Sequence, residues 1–269
     1  MCGRFTLTAE MRAIAERFGV EYPRGFAGTG GVRSASGSVE PVQPPRALTP
    51  RYNIAPTQSV IVVNDTGQRQ LVQMRWGFIR SWTKPAPLKA ARRSPDKHQE
   101  AEGQVKSGAA GEDKPSITLL INARAETITQ KPAFRTAFKG RRCLIPADGF
   151  YEWQKQGKQK QPVRIVLKNR EPFGFAGLWE HWTSPEGDEL LTCTIITTAA
   201  NELLRQVHER MPVILSRENE AVWLDPKIQD TVTLLPLLKQ YPSELMEFYP
   251  VARIVSSPAN DTPECIVPI

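Results

Sequence analysis

A cysteine directly follows the initiator methionine, and Gly3 and Arg4 come after it. The start methionine is usually removed when the next residue is small, and Cys2 would then be the N-terminal residue. Its α-amine, with a pKa of roughly 7.7–8.0, and its thiol, at about 8.5, would both be partly reactive at neutral pH. This pair predicts either N-terminal-nucleophile hydrolysis or condensation with an aldehyde, in which the thiol closes a five-membered ring after the amine attacks. Position alone leaves open a cysteine without function.

Two further residues are candidates for moving protons. Glu152 lies between Tyr151 and Trp153 on a predicted strand. Aromatic surroundings disfavour a charged carboxylate and make it a candidate general acid or base. His208 follows a predicted short helix, where an imidazole could titrate near neutrality. The alternatives are a solvent-facing glutamate at a strand edge and a hydrogen-bonded structural histidine.

Other polar and aromatic residues are candidates for holding a substrate. Asn122 and Arg124 alternate on one predicted strand, so the amide could orient a nucleophile and the guanidinium could bind phosphate. Arg4 brings a cation close to the reactive end. Trp76 and Trp153 offer rings on which unpaired bases could stack, although core packing is the commoner fate of a tryptophan.

The elements that must position these residues are short. Apolar residues recur at helical spacing between Thr8 and Phe18, with Thr8 as the predicted N-cap. Ser59–Asn64 and Leu71–Phe78 are predicted to form a hairpin. Further predicted strands are Arg142–Pro146, Gly149–Trp153, Val163–Leu167, Phe173–Leu178, Leu191–Thr197 and Val251–Val255. Further predicted helices are Thr129–Phe138 in part, Asn201–Val207, Glu218–Trp223, Leu234–Leu238 and Leu245–Phe248.

The strands are too numerous and too closely spaced for βαβ units, which favours an α+β fold with a mainly antiparallel core. We expect a barrel-like core or two packed sheets, flanked by short helices. One domain is predicted over residues 1–257, with polar loop insertions at about 23–50 and 84–114 and a loose tail at 258–269.

Composition narrows the class of protein. The net charge is +7, and residues 131–164 alone hold nine cationic residues against two carboxylates, which suits a phosphate backbone or a merely solvated surface. No apolar run reaches the roughly 18–20 residues of a membrane span, and no signal peptide is evident, so a reducing cytoplasm is expected. The four cysteines are widely spread, with Cys143 and Cys193 in predicted core strands, and no zinc spacing occurs. We expect no metal, no organic cofactor and a monomer.

Six segments, taken in order, resemble the SOS response-associated peptidase (SRAP) family of abasic-site processing proteins. They are Cys2–Phe5, Arg51–Pro56, Trp76–Phe78, Asn122–Glu126, Gly149–Trp153 and His208–Pro212. The likeness extends over about 220 residues, to Asp225, and the two polar insertions fall between the motifs.

The resemblance implies a SRAP-type fold and a covalent reaction with DNA. After removal of Met1, Cys2 would form a thiazolidine with the ring-opened aldehyde of an abasic site in single-stranded DNA, which shields the lesion. Asn122 would position the amine, while Glu152 and His208 would move protons. The family also implies lyase and peptidase-type activities and action at the bacterial nucleoid.

The resemblance assigns four residues to DNA binding. Arg4 and Arg124 would hold phosphates that flank the lesion, and Trp76 and Trp153 would wedge or stack beside it. Single-stranded DNA suits such a protein because an unpaired strand bends easily at a missing base.

Three rival interpretations remain open at this point. A glutamine amidotransferase would also begin Met-Cys-Gly, but here Arg4 follows Gly3, and the other elements of that class are absent. A non-catalytic reader of single-stranded DNA would need Arg4, Arg124 and the basic segment but not the thiol. A peptidase, autoproteolytic in one version, would use Cys2, Glu152 and His208, although no peptide-binding element is recognisable.

Overall fold

The computed structural model describes residues 2–21, 49–83, 104–106, 118–184 and 187–269, with the backbone alone at 104–106. The predicted insertions at 23–50 and 84–114 therefore lie almost entirely outside the described residues. No helix in the described ranges is both long and apolar enough to cross a bilayer.

Strands dominate the described chain. The strands are β1 Phe5–Leu7, β2 Arg51–Ile54, β3 Ser59–Asp65, β4 Arg69–Trp76, β5 Gln104–Lys106, β6 Thr118–Leu120, β7 Asn122–Arg124, β8 Arg142–Ala147, β9 Gly149–Gln156, β10 Gln159–Leu167, β11 Phe173–Thr183, β12 Glu189–Ala199, β13 Arg210–Pro212, β14 Ile214–Leu215 and β15 Met246–Pro250. The α-helices are α1 Met11–Phe18, α2 Pro132–Gly140, α3 Arg217–Leu224 and α4 Thr231–Leu234.

Two sheets form the core, which confirms the predicted α+β, mainly antiparallel fold. One sheet has the strand order β15-β10-β9-β1-β2. In the other, β12 pairs with both β11 and β4, so the path β4-β3-β8-β11-β12 closes on itself as a small barrel. Only two of the pairings between described strands are parallel, those of β12 with β4 and with β7.

Local sequence explains the most regular elements. The β-branched run Val60–Val63 and the turn at Gly67, whose φ is 112°, produce the predicted β3–β4 hairpin. Helix α1 ends at Phe18, and Gly19 after it adopts a φ of 63°, a left-handed conformation that favours a residue without Cβ. The helix begins at Met11 and not near Thr8, because the backbone N–H and hydroxyl of Thr8 both donate to the Asp148 carboxylate.

Aromatic rings join the two sheets. Phe5 of β1 packs edge-on against Trp76 at 5.2 Å between ring centroids and against Phe175 at 5.8 Å. Phe150 of β9 reaches Phe175 at 5.9 Å. Strand β1, which immediately follows the N-terminal Cys-Gly-Arg, is thus held rigidly by the core.

The C-terminal predictions are wrong in part. Residues 245–248 were expected to be helical and 251–255 a strand, but β15 spans Met246–Pro250 and a 3₁₀ turn spans Arg253–Ser256. The cause is long-range, because β10 presents a free edge to which β15 adds antiparallel, with Ile165 opposite Phe248.

The tail beyond Ser256 is packed rather than loose. Cys265 is fully buried, and its carbonyl oxygen accepts a hydrogen bond from the Tyr151 hydroxyl at 3.2 Å. The Asp261 carboxylate pairs with Arg51 of β2. The predicted core thiols Cys143 and Cys193 are indeed fully buried.

Candidate active site

Cys2 lies at the start of the site and is held by the strand that follows it. Strand β1 pairs with β2 and β9, and the backbone N–H of Tyr151 donates to the Arg4 carbonyl at 3.0 Å. The Cys2 side chain is fully buried, and its thiol lies 3.8 Å from the Arg4 carbonyl oxygen. The backbone around the candidate nucleophile is therefore fixed on both sides by hydrogen bonds.

Asn122 contacts Cys2 directly. Its Nδ2 donates to the Cys2 carbonyl oxygen at 3.0 Å. Its Oδ1 is buried and has no hydrogen-bond partner among the described residues. Strand β7 holds this amide in place by parallel pairing with β12, with Asn122 opposite Ile195. An unpaired buried acceptor is costly and marks a position that a donor can fill.

The Glu152 carboxylate influences the Cys2 thiol electrostatically. The carboxylate belongs to β9, is only 5% exposed, and stands opposite Val163 of β10. Burial raises the pKa of the Cys2 thiol far above its usual range, and the negative charge of Glu152 raises it further. The thiol is therefore protonated at neutral pH, with a potential proton acceptor beside it.

His208 is held in a defined tautomer. The backbone N–H of Arg210 donates to His208 Nδ1 at 2.9 Å, so the neutral ring carries its proton on Nε2. A side-chain contact links β9 to the turn before the histidine, because Gln154 Nε2 donates to the Gln206 carbonyl at 3.2 Å. The ring is half-buried and presents a donor, as a general acid requires.

The Arg4 guanidinium forms hydrogen bonds within the protein. Its guanidinium donates to the carbonyl oxygens of Val255 at 2.7 Å and Ser256 at 3.0 Å, and to Asn53 Oδ1 at 2.8 Å. It also lies 5.9 Å from the ring centroid of Trp153. In this structure Arg4 ties the N-terminal segment to the C-terminal one, and its expected role as a phosphate ligand stays a prediction.

The two tryptophans that were predicted to stack on bases differ in burial. Trp76 is fully buried, with its indole N–H on the Ile121 carbonyl at 2.9 Å, so it is a core residue and the stacking prediction is wrong. Trp153 is half-buried, and its indole N–H donates to the Ser256 hydroxyl at 3.3 Å. Trp82, which follows β4, is 54% exposed.

Arg124 is exposed and belongs to a cluster that also includes Arg210, to which sequence reasoning gave no role. Arg210 forms a two-pronged ion pair with Glu126, at 2.7 and 3.0 Å, and donates to the Thr197 carbonyl at 2.7 Å. Partial burial raises the pKa of Glu126, but the Arg210 hydrogen bond and the nearby charges outweigh burial and lower the pKa overall. Arg210 follows His208 by two residues, and this position was the feature of the sequence that could have pointed to Arg210.

The C-terminal segment forms one wall of the site. Asn53 is fully buried and its Nδ2 donates to the carbonyls of Val255, Ser257 and Asn260 at 3.0, 3.0 and 2.7 Å. The Asp261 carboxylate accepts the backbone N–H of Tyr52 and of Asn53 at 2.6 and 2.9 Å. The Arg51–Pro56 motif therefore binds the C-terminal chain, a role visible only in three dimensions.

The basic segment of residues 131–164 does not form a single surface. Arg142 and Arg164 are buried, the first on backbone carbonyls and the second on Asp148. Arg141 pairs with Glu180 at 2.7 Å. The remaining six cations divide between the α2 region and the β9–β10 hairpin. Within the described ranges, no group of three or more His, Cys, Asp or Glu residues is arranged to hold a metal ion.

Comparison with known proteins places this site in a family. The sequence profile described as SOS response associated peptidase (SRAP) matches residues 1–258. The abasic site processing protein YoqW of Bacillus subtilis is 40% identical over 99% of each chain. The abasic site processing protein HMCES of Gallus gallus is 33% identical over 82% of this chain and 66% of its own. A crystal structure of a protein from Bacteroides thetaiotaomicron has the same fold, with a TM-score of 0.72 at 24% identity and full coverage of both chains. The chain therefore belongs to the SRAP family.

Proposed function

We propose that the protein captures abasic sites in single-stranded DNA by a covalent thiazolidine link to Cys2, after Met1 has been removed. The observation that carries this proposal is the hydrogen bond from the Asn122 amide to the Cys2 carbonyl, together with the electrostatic influence of the Glu152 carboxylate on the Cys2 thiol. The names of its relatives, abasic site processing proteins of bacterial and vertebrate origin, support the choice of substrate.

The Asn122 side chain suits a role in orienting the amine. Its Nδ2 fixes the Cys2 carbonyl, which is bonded to the same Cα as the α-amine. Its Oδ1 is a buried acceptor without a hydrogen-bond partner among the described residues, and an amine N–H is a donor that could satisfy it. Such a hydrogen bond would restrict rotation of the amine.

The protonated thiol sets the order of events. A neutral thiol is a poor nucleophile, so the α-amine attacks the aldehyde carbon first. The resulting carbinolamine loses water to give a Schiff base. The thiol sulfur then adds to the imine carbon and its proton passes to nitrogen, so one water leaves while one C–N and one C–S bond form. Tethering gives this closure the advantage of an intramolecular step.

Two groups are available to move the protons. The Nε2–H of His208 is a donor suited to opening the sugar ring or to helping water leave. The Glu152 carboxylate is suited to taking the thiol proton and returning it to nitrogen. In this scheme Arg124, exposed beside Asn122, and Trp153 would contact the flanking DNA.

The hydrolase and peptidase alternatives require an activated thiolate. Burial and the charge of Glu152 both disfavour the thiolate of Cys2, and together they outweigh the opposing effect of the positive N-terminus on its pKa. The non-catalytic reader remains the second candidate, since exposed Arg124 alone would serve binding. The reader hypothesis and the covalent mechanism differ in one consequence. If the protein only binds DNA, Cys2→Ser leaves its function intact.

The test is adduct formation with single-stranded DNA that contains one abasic site. Wild-type protein should give an adduct that survives heat and SDS, and Cys2→Ala should give none. Cys2→Ser keeps the amine, so it should give an adduct only when borohydride reduces the Schiff base. A heat-stable adduct with Cys2→Ala, or its absence with wild type, would refute the mechanism. Intact mass must show that Met1 is gone.

A second experiment examines the carboxylate. Glu152→Gln keeps the size of the side chain but removes its basicity, so ring closure should slow while Schiff-base trapping persists. An unchanged rate of thiazolidine formation would remove the proposed role of Glu152.

A further inference from the structure

The β9–β10 hairpin projects from the candidate site as an exposed ribbon. Its strands meet at Gly157 and Lys158, where Gly157 adopts a φ of 59°. All six residues from 155 to 160 are exposed, whereas β9 begins in the buried core at Gly149. The hairpin therefore extends from the core, past Glu152, into solvent.

Strand alternation divides this ribbon into two faces. Lys155 and Lys160 stand directly opposite each other and share a face with Trp153, which stands opposite Pro162. The other face continues from Glu152 as two cross-strand pairs of glutamines. Those pairs are Gln154 with Gln161 and Gln156 with Gln159.

The lysine pair costs stability. Like charges directly opposite each other on a hairpin repel, and among the described residues no ion pair offsets the charge of Lys155 or Lys160. The chain has no Asp or Glu between Glu152 and Glu171. None of the ion pairs that join described residues includes Lys155, Lys158 or Lys160. Three uncompensated cations on one exposed ribbon form a surface suited to an external anion.

The lysine face leads directly to the site. Trp153 lies between the lysine pair and the core, and its ring contacts the Arg4 guanidinium at 5.9 Å. At about 3.3 Å per residue, Lys155 lies about 10 Å along β9 from Glu152 and the turn about 17 Å. This length fits a few nucleotides of a strand whose lesion lies at Cys2.

We propose that the β9–β10 hairpin binds the phosphodiester backbone of the single-stranded DNA that flanks the lesion. This inference rests on the proposed function. Lysine ammonium groups contact phosphates as point charges, and such contacts do not select a base. The lysine pair thereby raises affinity for any sequence, while the chemistry at Cys2 stays separate.

The test compares two double variants that remove the same charge. Lys155→Gln/Lys160→Gln alters the hairpin, and Lys131→Gln/Lys139→Gln alters the exposed α2 region as a matched control. Binding of undamaged single-stranded oligonucleotides is measured by anisotropy across a salt series. Because each phosphate contact on a single strand contributes about 0.7 to the slope of log K against log salt, the hairpin variant should lose about 1.4 and the control much less.

Equal slopes for the hairpin variant and the wild type, or equal losses in both variants, would overturn the proposal. The variant should melt no earlier than wild type, because it loses a repulsion, so a folding defect is detectable separately. Its adduct rate at saturating abasic DNA should be unchanged while the half-saturating DNA concentration rises. Undamaged DNA carries no aldehyde, so failure of the covalent mechanism would leave this result standing.

Discussion

The Asn122 side-chain amide holds the carbonyl oxygen of Cys2 at 3.0 Å, although 119 residues separate the two in the chain. One hydrogen bond thus joins β7 of the barrel to the segment before β1. The contact fixes the peptide group next to the thiol, and the same amide offers its oxygen to a donor on Cys2.

Asn122→Ala removes both hydrogen-bonding groups from the site. A hydrogen bond to a reacting group is worth about 1–3 kcal/mol, so adduct formation should slow by about 5- to 150-fold. Single-turnover rates at saturating abasic DNA are the measurement. Affinity for undamaged DNA should stay within about two-fold of wild type, and a loss of affinity with an unchanged rate would contradict the positioning role.

Stability should fall as the solution becomes alkaline. Burial raises the pKa of the thiols of Cys2, Cys143 and Cys193, so the folded chain keeps protons that the unfolded chain releases above about pH 8.5. Unfolding then releases protons, and the free energy of unfolding drops as pH rises from there toward the folded-state pKa values, by up to about 1.4 kcal/mol per pH unit for each thiol. Urea titrations between pH 7.5 and 10.5 measure this loss. A flat profile would show that the thiols ionise equally in both states.

Gly149→Ala should destabilise the protein by about 1–3 kcal/mol. A Cβ at this position would meet Arg164 Nε at 2.7 Å, and that guanidinium is fixed on Asp148, Thr6 and Tyr249. Gly140→Ala is the control, because its Cβ would meet nothing within 4 Å at the end of α2. The control should be neutral or gain up to about 1 kcal/mol. Equal urea midpoints for the two variants would contradict the steric argument.

Asp261→Ala should loosen the C-terminal wall of the site. The substitution removes the carboxylate that pairs with the buried Arg51 guanidinium and accepts two backbone N–H groups. We expect it to lower the free energy of unfolding by about 3–5 kcal/mol. Asp261→Asn retains an acceptor and should cost less than half as much. Thermal melting with adduct rates would test this, and an Asp261→Ala variant as stable as wild type would mean that the segment is dispensable.

The regular elements were predictable where local sequence determines them. The β3–β4 hairpin follows from β-branched residues and a turn that ends in Gly67. Strand β15 could not be predicted from local sequence, since residues 245–248 are also compatible with a helix. They form a strand because they pair with the edge of β10. The start of α1 was misplaced because Thr8 donates to Asp148, which is 140 residues away.

Motif order selected Cys2, Asn122, Glu152 and His208 as candidates, and their catalytic roles stay predictions. The structure shows a hydrogen bond from Asn122 to Cys2 and an electrostatic effect of Glu152 on the Cys2 thiol. The exposure of the other candidate residues could not be predicted. Whether Trp76 faces solvent depends on how the two sheets pack, and no local pattern records that. The hydrogen bonds of Arg4 likewise depend on carbonyl groups some 250 residues away.

The complete burial of Cys2 constrains when the protein can be matured. An aminopeptidase that removes the start methionine must reach the first peptide bond, and the folded chain encloses the residue that follows it. If the proposed chemistry operates, trimming therefore belongs to the nascent chain on the ribosome, before β9 has been synthesised and can pair with β1. The carbonyls of residues 255 and 256 that receive Arg4 emerge later still. The reactive terminus is thus exposed during translation, and its surroundings are completed only when the C-terminal segment closes over it.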